Sequence, residues 1–587
     1  MKYPVLKEES STKQVTDIFL GYNHNVKLRD GEFFDTVNLT SKLYPMLSVR
    51  QKRSIIADGL TAPQGMIEKD ALAYVDDGTL YYNRLETPVT GLASGSKQLV
   101  SMGAYIIVFP DKVYYNTIDG TDYGSMEAAY SFSGTVKYEM CSSDGVVYDK
   151  AEEGATAPAE PKEDALWIDT ANGVLKQYSV SMAMWVTVET VYTKLTFTTQ
   201  GELARLFKVN DGVTLSGAHF DDLNGSKIIY GLGGSAGTAD GGAVNDYIVV
   251  IGILSNAYTQ ENAEISIKRS VPEMDFVCEC QNRLWGCRYG NDGKQNLNEL
   301  YCCALGDFKN WSQYLGLSTD SWTASVGSDG VWTGCINFLG SPVFFKENRV
   351  HRISVSPVGA HSVTDTPSRG VQQGSEKSIA VVDEVLYYKS RTDVCAWQGG
   401  FPEGVSAALG DERYYNAVAG AFGRRYYISM EDSRGKWHMF CYDIAKGLWM
   451  HEDDLHAKQI CRLDDSLCCM TENRIYDLNG LIGEAEEDIP WLAETGIMYY
   501  ETPEKKYISR YNIRLCMEPR SSLQMDIEYD STGLWEYAGR VEAAGSTRSV
   551  TLPICPRRCD HMRLRLHGRG GVKIFSIARL LEKGSDM

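Results

Sequence analysis

The chain has 587 residues, a formal net charge of −19, and 43% hydrophobic and 11% aromatic residues. That length supports several packed domains, and the acidic balance argues against a general nucleic-acid binder, which needs a basic face. No apolar run reaches the ~18 residues that span a bilayer, and the start, MKYPVLKEES, lacks an apolar signal segment, so the chain is expected to stay in a cytosol or be released by lysis.

Residues 1–60 read as an extended arm. The stretch LRDGEFFDTVNLTSKLYPMLSVRQKR (28–53) alternates poorly and ends in a small basic cluster of Arg50, Lys52 and Arg53. A strand-pair pattern then begins: an apolar run, a short polar turn, and a second apolar run rich in Tyr or β-branched residues. It occurs in VDDGTLYYN (75–83) and YIIVFPDKVYYN (105–116), giving the first blades of a β-propeller over 61–118. The period then stops. AEEGATAPAEPKED (151–164) reads as a linker or exposed loop, and LWIDTANGVLKQYSVSMAMWVTV (166–188) as a hairpin turning at Asn172-Gly173 in type I′ geometry. A Gly-rich run, GLGGSAGTADGG (231–242), fits no dinucleotide fingerprint and reads as a flexible loop, while LARLF (203–207) is the one short helix expected. Residues 119–268 are taken as an inserted β-rich domain.

The pattern resumes in CQNRLWGC (280–287), VFFKENRVHRI (343–353), VVDEVLYYK (from 381), FGRRYYISM (from 422) and CCMTENRIYDL (from 468). Successive copies are 43, 39 and 42 residues apart, counted from Phe344 to Tyr387, Tyr426 and Cys468. Repeats of about 40–50 residues with several short strands each mark a propeller, so 269–485 holds the remaining blades. The last segment, 486–587, alternates clearly in MDIEY (525–529) and MRLRL (562–566), which points to an antiparallel β-sandwich. The expected fold class is therefore all-β. From 501 onward there are 15 Lys/Arg against 11 Asp/Glu, a local +4 that leaves −23 elsewhere. That split points either to docking on an acidic surface, with Arg557, Arg558, Arg563, Arg565 and Arg569 as inter-subunit contacts, or to a solvated mixed-charge face.

The 15 cysteines sit mostly in apolar strand runs without a CxxC pair, as reduced buried thiols do. HEDDLH (451–456) spaces its histidines five apart, not the four that a zincin helix needs. The strings SVGSDGVW (325–332), EDSRGKW (431–437) and YDSTGLW (529–535) are loose relatives of sialidase Asp-boxes and read as polar turns preceding an aromatic strand. No nucleophile elbow or catalytic constellation is found, and neither cofactor nor metal is expected. Trp167, Tyr178 and Trp185 in the insert are candidate sugar-stacking aromatics, or else that domain's small core.

NLTSKLYPMLSVRQKR (38–53) resembles the N-terminal motif of bacteriophage tail stabilisation proteins, of the hub or nozzle class, and PEMDFVCECQNRLWGC (272–287) resembles the segment that restarts the propeller in such proteins. LWIDTANGVLKQYSVSMAMWV (166–186) is similar to small modules of phage tail and fibre proteins, and HMRLRLHGRGGVKIFSIARLLEKGS (561–585) resembles the closing strands of the hubs. The resemblance implies a structural virion component without enzyme activity, assembled in the host cytoplasm. It implies a ring of six copies below the portal and its adaptor, carrying tip or fibre proteins, through whose acidic lumen double-stranded DNA slides without specific binding. Two other readings compete: a carbohydrate-binding receptor protein acting through the insert, and a propeller glycosidase.

Overall fold

The computed structural model describes residues 11–583 apart from 149–150, 236–243, 255–256, 294, 357–358, 482–483, 501–504 and 543–545. MKYPVLKEES, residues 236–242 of the Gly-rich run and Gly483 therefore lie outside the described residues. The chain is all-β. Among the described residues only the four-residue helix Leu203–Leu206 and three single 3-10 turns interrupt the strands, and no helix is long and apolar enough to cross a membrane. The described residues fall into two compact units, one drawn from Met1–Leu99, Asp329–Arg352 and Thr364–Met587, the other from Val100–Ser328 and Ile353–Val363.

The first unit is built on antiparallel four-stranded meanders. They cover 63–86, 380–404 and 414–453, and the strands Gly334–Phe338 and Ser341–Lys346 belong to a fourth. Their strands are short and apolar on both faces, as in Ser341–Lys346 and Ser466–Met470, where nearly every side chain is buried. Both faces are buried because each meander packs on its neighbour. Phe338 and Phe345 of one meet Tyr388 and Trp397 of the next, and Tyr387 meets Tyr426 and Tyr442 of the one after. The first strands stand side by side: Ala380–Val382 against Tyr414–Phe422, that against Gln459–Leu463, and that against Pro63–Lys69.

The 459–477 meander has only three strands of its own, and Ser54–Asp58 supplies the fourth, pairing Tyr476 with Ile55 and Asp477 with Ser54. Beside it lies a buried ionic cluster. The Arg53 guanidinium, 3% exposed, donates to Glu452 at 2.8 Å and to Asp453. Arg50 donates to Glu486 at 2.8 Å and to Asn38 at 2.6 Å, and the Arg53 backbone N–H donates to Glu486 at 2.9 Å. Residues 11–58, expected as an extended arm, thus contribute six strands. Their poor alternation follows from their shortness and their partners: Leu39–Thr40 and Leu47–Val49 make a pair of only two residues, and Ser11–Thr16, Glu32–Val37, Leu47–Val49 and Ser54–Asp58 each pair with a strand more than 400 residues away.

The C-terminal residues form two sheets with a common core. In one, Lys506–Met517 pairs with Arg548–Pro553 and Val572–Lys583, and Leu47–Val49 and Ser11–Thr16 join Val572–Lys583. The other, with Ser522–Tyr529, Trp535–Glu542, Met562–Arg569 and Pro490–Thr495, continues through Glu32–Val37 and Gly21–Tyr22 into the 414–453 meander, making ten strands in one sheet. Tyr511, Ile513 and Leu515 share a core with Met525, Ile527, Leu564 and Leu566. The alternation read in MDIEY and MRLRL is what buries one side of this sheet.

In the second unit, meanders over 98–125 and 276–325 pack on each other through Ile107, Phe109, Leu284 and Trp311. Between them in sequence, Ala128–Cys141 pairs along its length with Tyr258–Arg269. This ladder heads a seven-stranded sheet whose core includes Tyr138, Phe197 and Ile265. Gly231–Ser235, expected within a loop, is a strand of it. A small sheet follows Glu152–Gly154, Leu166–Asp169, Val174–Ser179 and Met184–Thr187. The expected hairpin is present, but its turn is four residues, not a two-residue type I′: Asp169 accepts from the Ala171 and Asn172 backbone and from the Asn172 and Lys176 side chains, which holds the longer loop.

Removing the Arg53 guanidinium leaves Glu452 buried without its cation and Asp453 with only the more distant Arg50 at 3.7 Å, a loss of about 3–5 kcal/mol. Arg53→Met is expected to lower the urea midpoint of unfolding by a corresponding amount. Burial alone would raise the Asp453 carboxyl, but Arg53 and Arg50 outweigh it and hold it below the ordinary 3.8; for Glu486 the Arg50 hydrogen bond likewise overcomes burial and holds it below 4.5. Depressed carboxyls stabilise the fold above their unfolded values and lose that contribution as pH falls through the folded ones. Urea titrations from pH 5 to pH 3 are therefore expected to show a steep loss of stability, shallower in Arg53→Met.

Candidate functional site

The ends at which the first strands of the meanders begin surround a cavity of about 620 Å³ in the first unit. Its wall takes Gln64 and Gly65 from the start of Pro63–Lys69, Asn416 and Val418 from Tyr414–Phe422, and Gln459 from Gln459–Leu463. Glu376 and Lys377 come from the 3-10 turn before Ala380–Val382, and residues 94–96 close one side.

Trp437 and His456 also line this cavity, with ring centroids 3.7 Å apart and planes 15° from parallel. Trp437 is placed by the turn before it. Asp432 Oδ1 accepts the backbone N–H groups of Arg434 and Lys436, both at 2.9 Å, and Gly435 takes φ +81. This is the EDSRGKW string, whose Asp and Gly make a tight turn and whose Trp opens the next strand into the cavity. His456 follows the strand Leu448–Asp453, and burial pushes its imidazole below the ordinary 6.5. At neutral pH the pair is therefore an uncharged aromatic platform.

Polar groups flank the platform. Asn416, held at φ +50 in a bulge of its strand, donates to Glu431 at 2.6 Å. Gln64 donates to the Ala93 carbonyl at 2.9 Å and accepts from the Gly78 N–H at 3.0 Å, which fixes the 92–97 loop over the cavity. Gly78 itself has φ +73, and a Cβ there would lie 2.7 Å from the Leu92 carbonyl oxygen. Gln459 donates to the Met66 carbonyl at 2.8 Å while its Oε1 is buried without a partner. Two carboxylates, Asp77 and Glu376, complete the lining.

Behind the platform runs a chain of side chains: Asp432 Oδ2 to His438 Nε2 at 3.2 Å, His438 Nδ1 to His451 Nε2 at 3.3 Å, and His451 Nδ1 to Asp35 at 3.4 Å. The two histidines of HEDDLH thus face different surroundings, His451 this chain and His456 the cavity. Among the described residues no cluster of His, Cys, Asp or Glu is placed to hold a metal ion.

The insert brings Trp167, Tyr178 and Trp185 together. Trp167 is buried, donates to the Gly154 carbonyl at 2.9 Å and carries Lys176 4.9 Å above its ring. Trp185 and Tyr178 are half-buried, and Trp185 meets Trp167 and Tyr178 edge-on at 5.5 and 5.3 Å. The five arginines separate. Arg563 and Arg565 both pair with Glu494, the latter at 2.7 Å, and lie over the Trp535 ring at 5.4 and 3.8 Å. Arg557 pairs with Glu536 over Tyr529, and Arg558 and Arg569 are exposed. Much of this positive charge is therefore spent within the C-terminal sheets. Sequence reading passed over Trp437, although the Asp-turn that aims it was visible; His456 and Lys377 carry no local signal, because they reach the cavity from separate meanders.

No family model matches the chain, and no curated protein matches it. Among solved structures it is similar to an exo-β-1,3-galactanase from Phanerochaete chrysosporium, at 9% identity and TM-score 0.22, over 52% of this chain and 95% of that one. It is similar to a glycoside hydrolase family 43 arabinoxylan arabinofuranohydrolase from Bacillus subtilis, at 8% identity and TM-score 0.19, over 51% and 94%. It is also similar to the extracellular domain of a putative hybrid two-component system from B. thetaiotaomicron, at 8% identity and TM-score 0.23, over 93% and 99%. These findings correct the expectation of a phage tail hub without enzyme activity: the neighbours are glycoside hydrolases and the extracellular domain of a two-component system, and none of these three is phage-related. At such identities and TM-scores the likeness transfers no activity to this chain.

Burial also pushes His438 below the ordinary 6.5, with Asp432 opposing it. Imidazoles that resist protonation in the fold, but accept it freely in the unfolded chain, withdraw stability as pH falls below their unfolded value. Stability is therefore expected to decline from pH 7.5 to pH 5.5, and His438→Gln to flatten that slope in urea titrations at the two pH values.

Proposed function

We propose that the protein is a carbohydrate-active β-propeller whose cavity in the first unit binds a saccharide. In this reading the four-stranded meanders are blades, 128–269 is an inserted domain, and the two C-terminal sheets are an appended sandwich. Three features support it: first strands standing side by side, cores between consecutive meanders, and a last meander completed by a strand from near the other end of the chain.

The observation that carries the saccharide reading is the Trp437–His456 platform. A sugar ring presents an apolar C–H face and a rim of hydroxyls. An uncharged aromatic surface suits the first, since its electron-rich face attracts polarised C–H groups, while amides of fixed orientation suit the second. Asn416, Gln64 and Gln459 supply such amides, and 620 Å³ falls within the size range of small-ligand sites. Asp77 and Glu376 in the same lining favour a second reading, hydrolysis of the bound glycan, because glycosidic cleavage uses one carboxylic acid to protonate the leaving oxygen and one carboxylate as base or nucleophile. On the small sheet of the insert, Trp185 and Tyr178 offer a further, shallower sugar contact.

A glycan array probed with the whole chain is expected to yield ligands, and Trp437→Ala to weaken them at least tenfold in a protein that circular dichroism shows to be folded. Unaltered binding by Trp437→Ala would place the ligand elsewhere, with Trp185→Ala testing the insert. Reducing-sugar release from an array ligand, abolished in Glu376→Gln or Asp77→Asn, is the outcome expected of hydrolysis; turnover surviving both substitutions would refute that role for the two carboxylates.

A further inference from the structure

We infer that the cavity takes an acidic saccharide, with the Lys377 ammonium holding a sugar carboxylate. The inference rests on the saccharide reading of this cavity. Lys377 stands in its wall, half-buried, on the turn before Ala380–Val382. Its Nζ donates to the Ser96 hydroxyl at 3.1 Å and to the Lys458 carbonyl at 3.2 Å. An ammonium has three N–H groups, so two fix its position and a third is left for a ligand. Among the described residues no carboxylate reaches Nζ at ion-pair distance.

A half-buried ammonium without a carboxylate partner has lost part of its hydration and has no countercharge to offset it. Burial accordingly pushes Lys377 below the ordinary 10.5, and the neighbouring Glu376 only partly offsets this. A second cation, Lys458, lines the same cavity. The acids of the lining do not cancel the pair by contact: Asp77 is exposed, and Glu376 is beside Lys377 in sequence without an ion pair to it. A neutral sugar hydroxyl accepts the third N–H bond but leaves the charge unbalanced. A carboxylate on the ring does both, and charge-assisted bonds of this kind are about twice as strong as neutral ones.

The test is titration calorimetry of the whole chain with oligogalacturonate, oligoglucuronate and alginate oligomers, each beside its carboxyl-reduced neutral counterpart. At least one acidic oligomer is expected to bind tenfold or more tightly than its neutral form. Lys377→Gln should erase that preference while retaining the weaker neutral binding, and Lys377→Arg, which keeps the charge, should preserve it. Trp437→Ala should weaken both forms alike. Equal affinity for acidic and neutral forms, or a preference intact in Lys377→Gln, overturns the inference while leaving the saccharide reading standing. Failure of every oligosaccharide, acidic or neutral, to bind overturns both. Circular dichroism and the urea midpoint check that each variant is folded.

Discussion

The completion of the 459–477 meander by Ser54–Asp58 is the constraint on which the first unit depends. A meander with three strands leaves an unpaired edge, and an open edge in an apolar sheet is a template for misassociation. Here the edge is taken by a segment more than 400 residues away along the chain, Asp58 bonding Arg474 across a separation of 416 residues. Hydrogen bonds alone would not fix the register of five residues. The Arg50–Arg53 cluster does, because each guanidinium must meet its acids or leave them stranded in a dry interior. A slip of one residue would also turn every side chain of the strand to the wrong face.

The cavity inherits its character from the same arrangement. First strands that stand side by side must diverge where they begin, since each is preceded by a loop of its own. The space they leave is lined by loop residues and by the opening residues of each strand, positions under little demand from the cores. Polar side chains such as Asn416, Gln64 and Lys377 are therefore tolerated there, within a few residues of the buried apolar side chains Met66, Ala417 and Val382. The aromatic pair is different. Trp437 opens the third strand of the 414–453 meander and His456 follows its fourth, so their stacking links the cavity to the body of that meander.

Much of the architecture was legible in the sequence because it is local. Hairpins announce themselves through paired apolar runs around a polar turn, and the near-40-residue interval between Phe344, Tyr387, Tyr426 and Cys468 follows from one meander stacking on the next. The N-terminal strands were not legible: Gly21–Tyr22 and Leu39–Thr40 are two residues long, too short to show a period, while Ser11–Thr16 and Ser54–Asp58 have their partners more than 400 residues away. The cavity was half legible. Asp432 and Gly435 mark a turn ending in Trp437, but the ring's neighbour His456 comes from a different loop, and nothing in HEDDLH distinguishes a ring that stacks from one that does not. The arginines of MRLRLHGR misled for a related reason. Composition counts their charge, whereas Glu494 and Trp535, which occupy two of them, stand on other strands.

The long-range closure also sets a timetable for synthesis. A ribosome adding about 5–20 residues each second needs tens of seconds to pass from Ser54–Asp58 to the strand that receives it. Throughout that interval the nascent chain carries an apolar segment with no mate, so the 459–477 meander closes only after Arg474–Asp477 has been made.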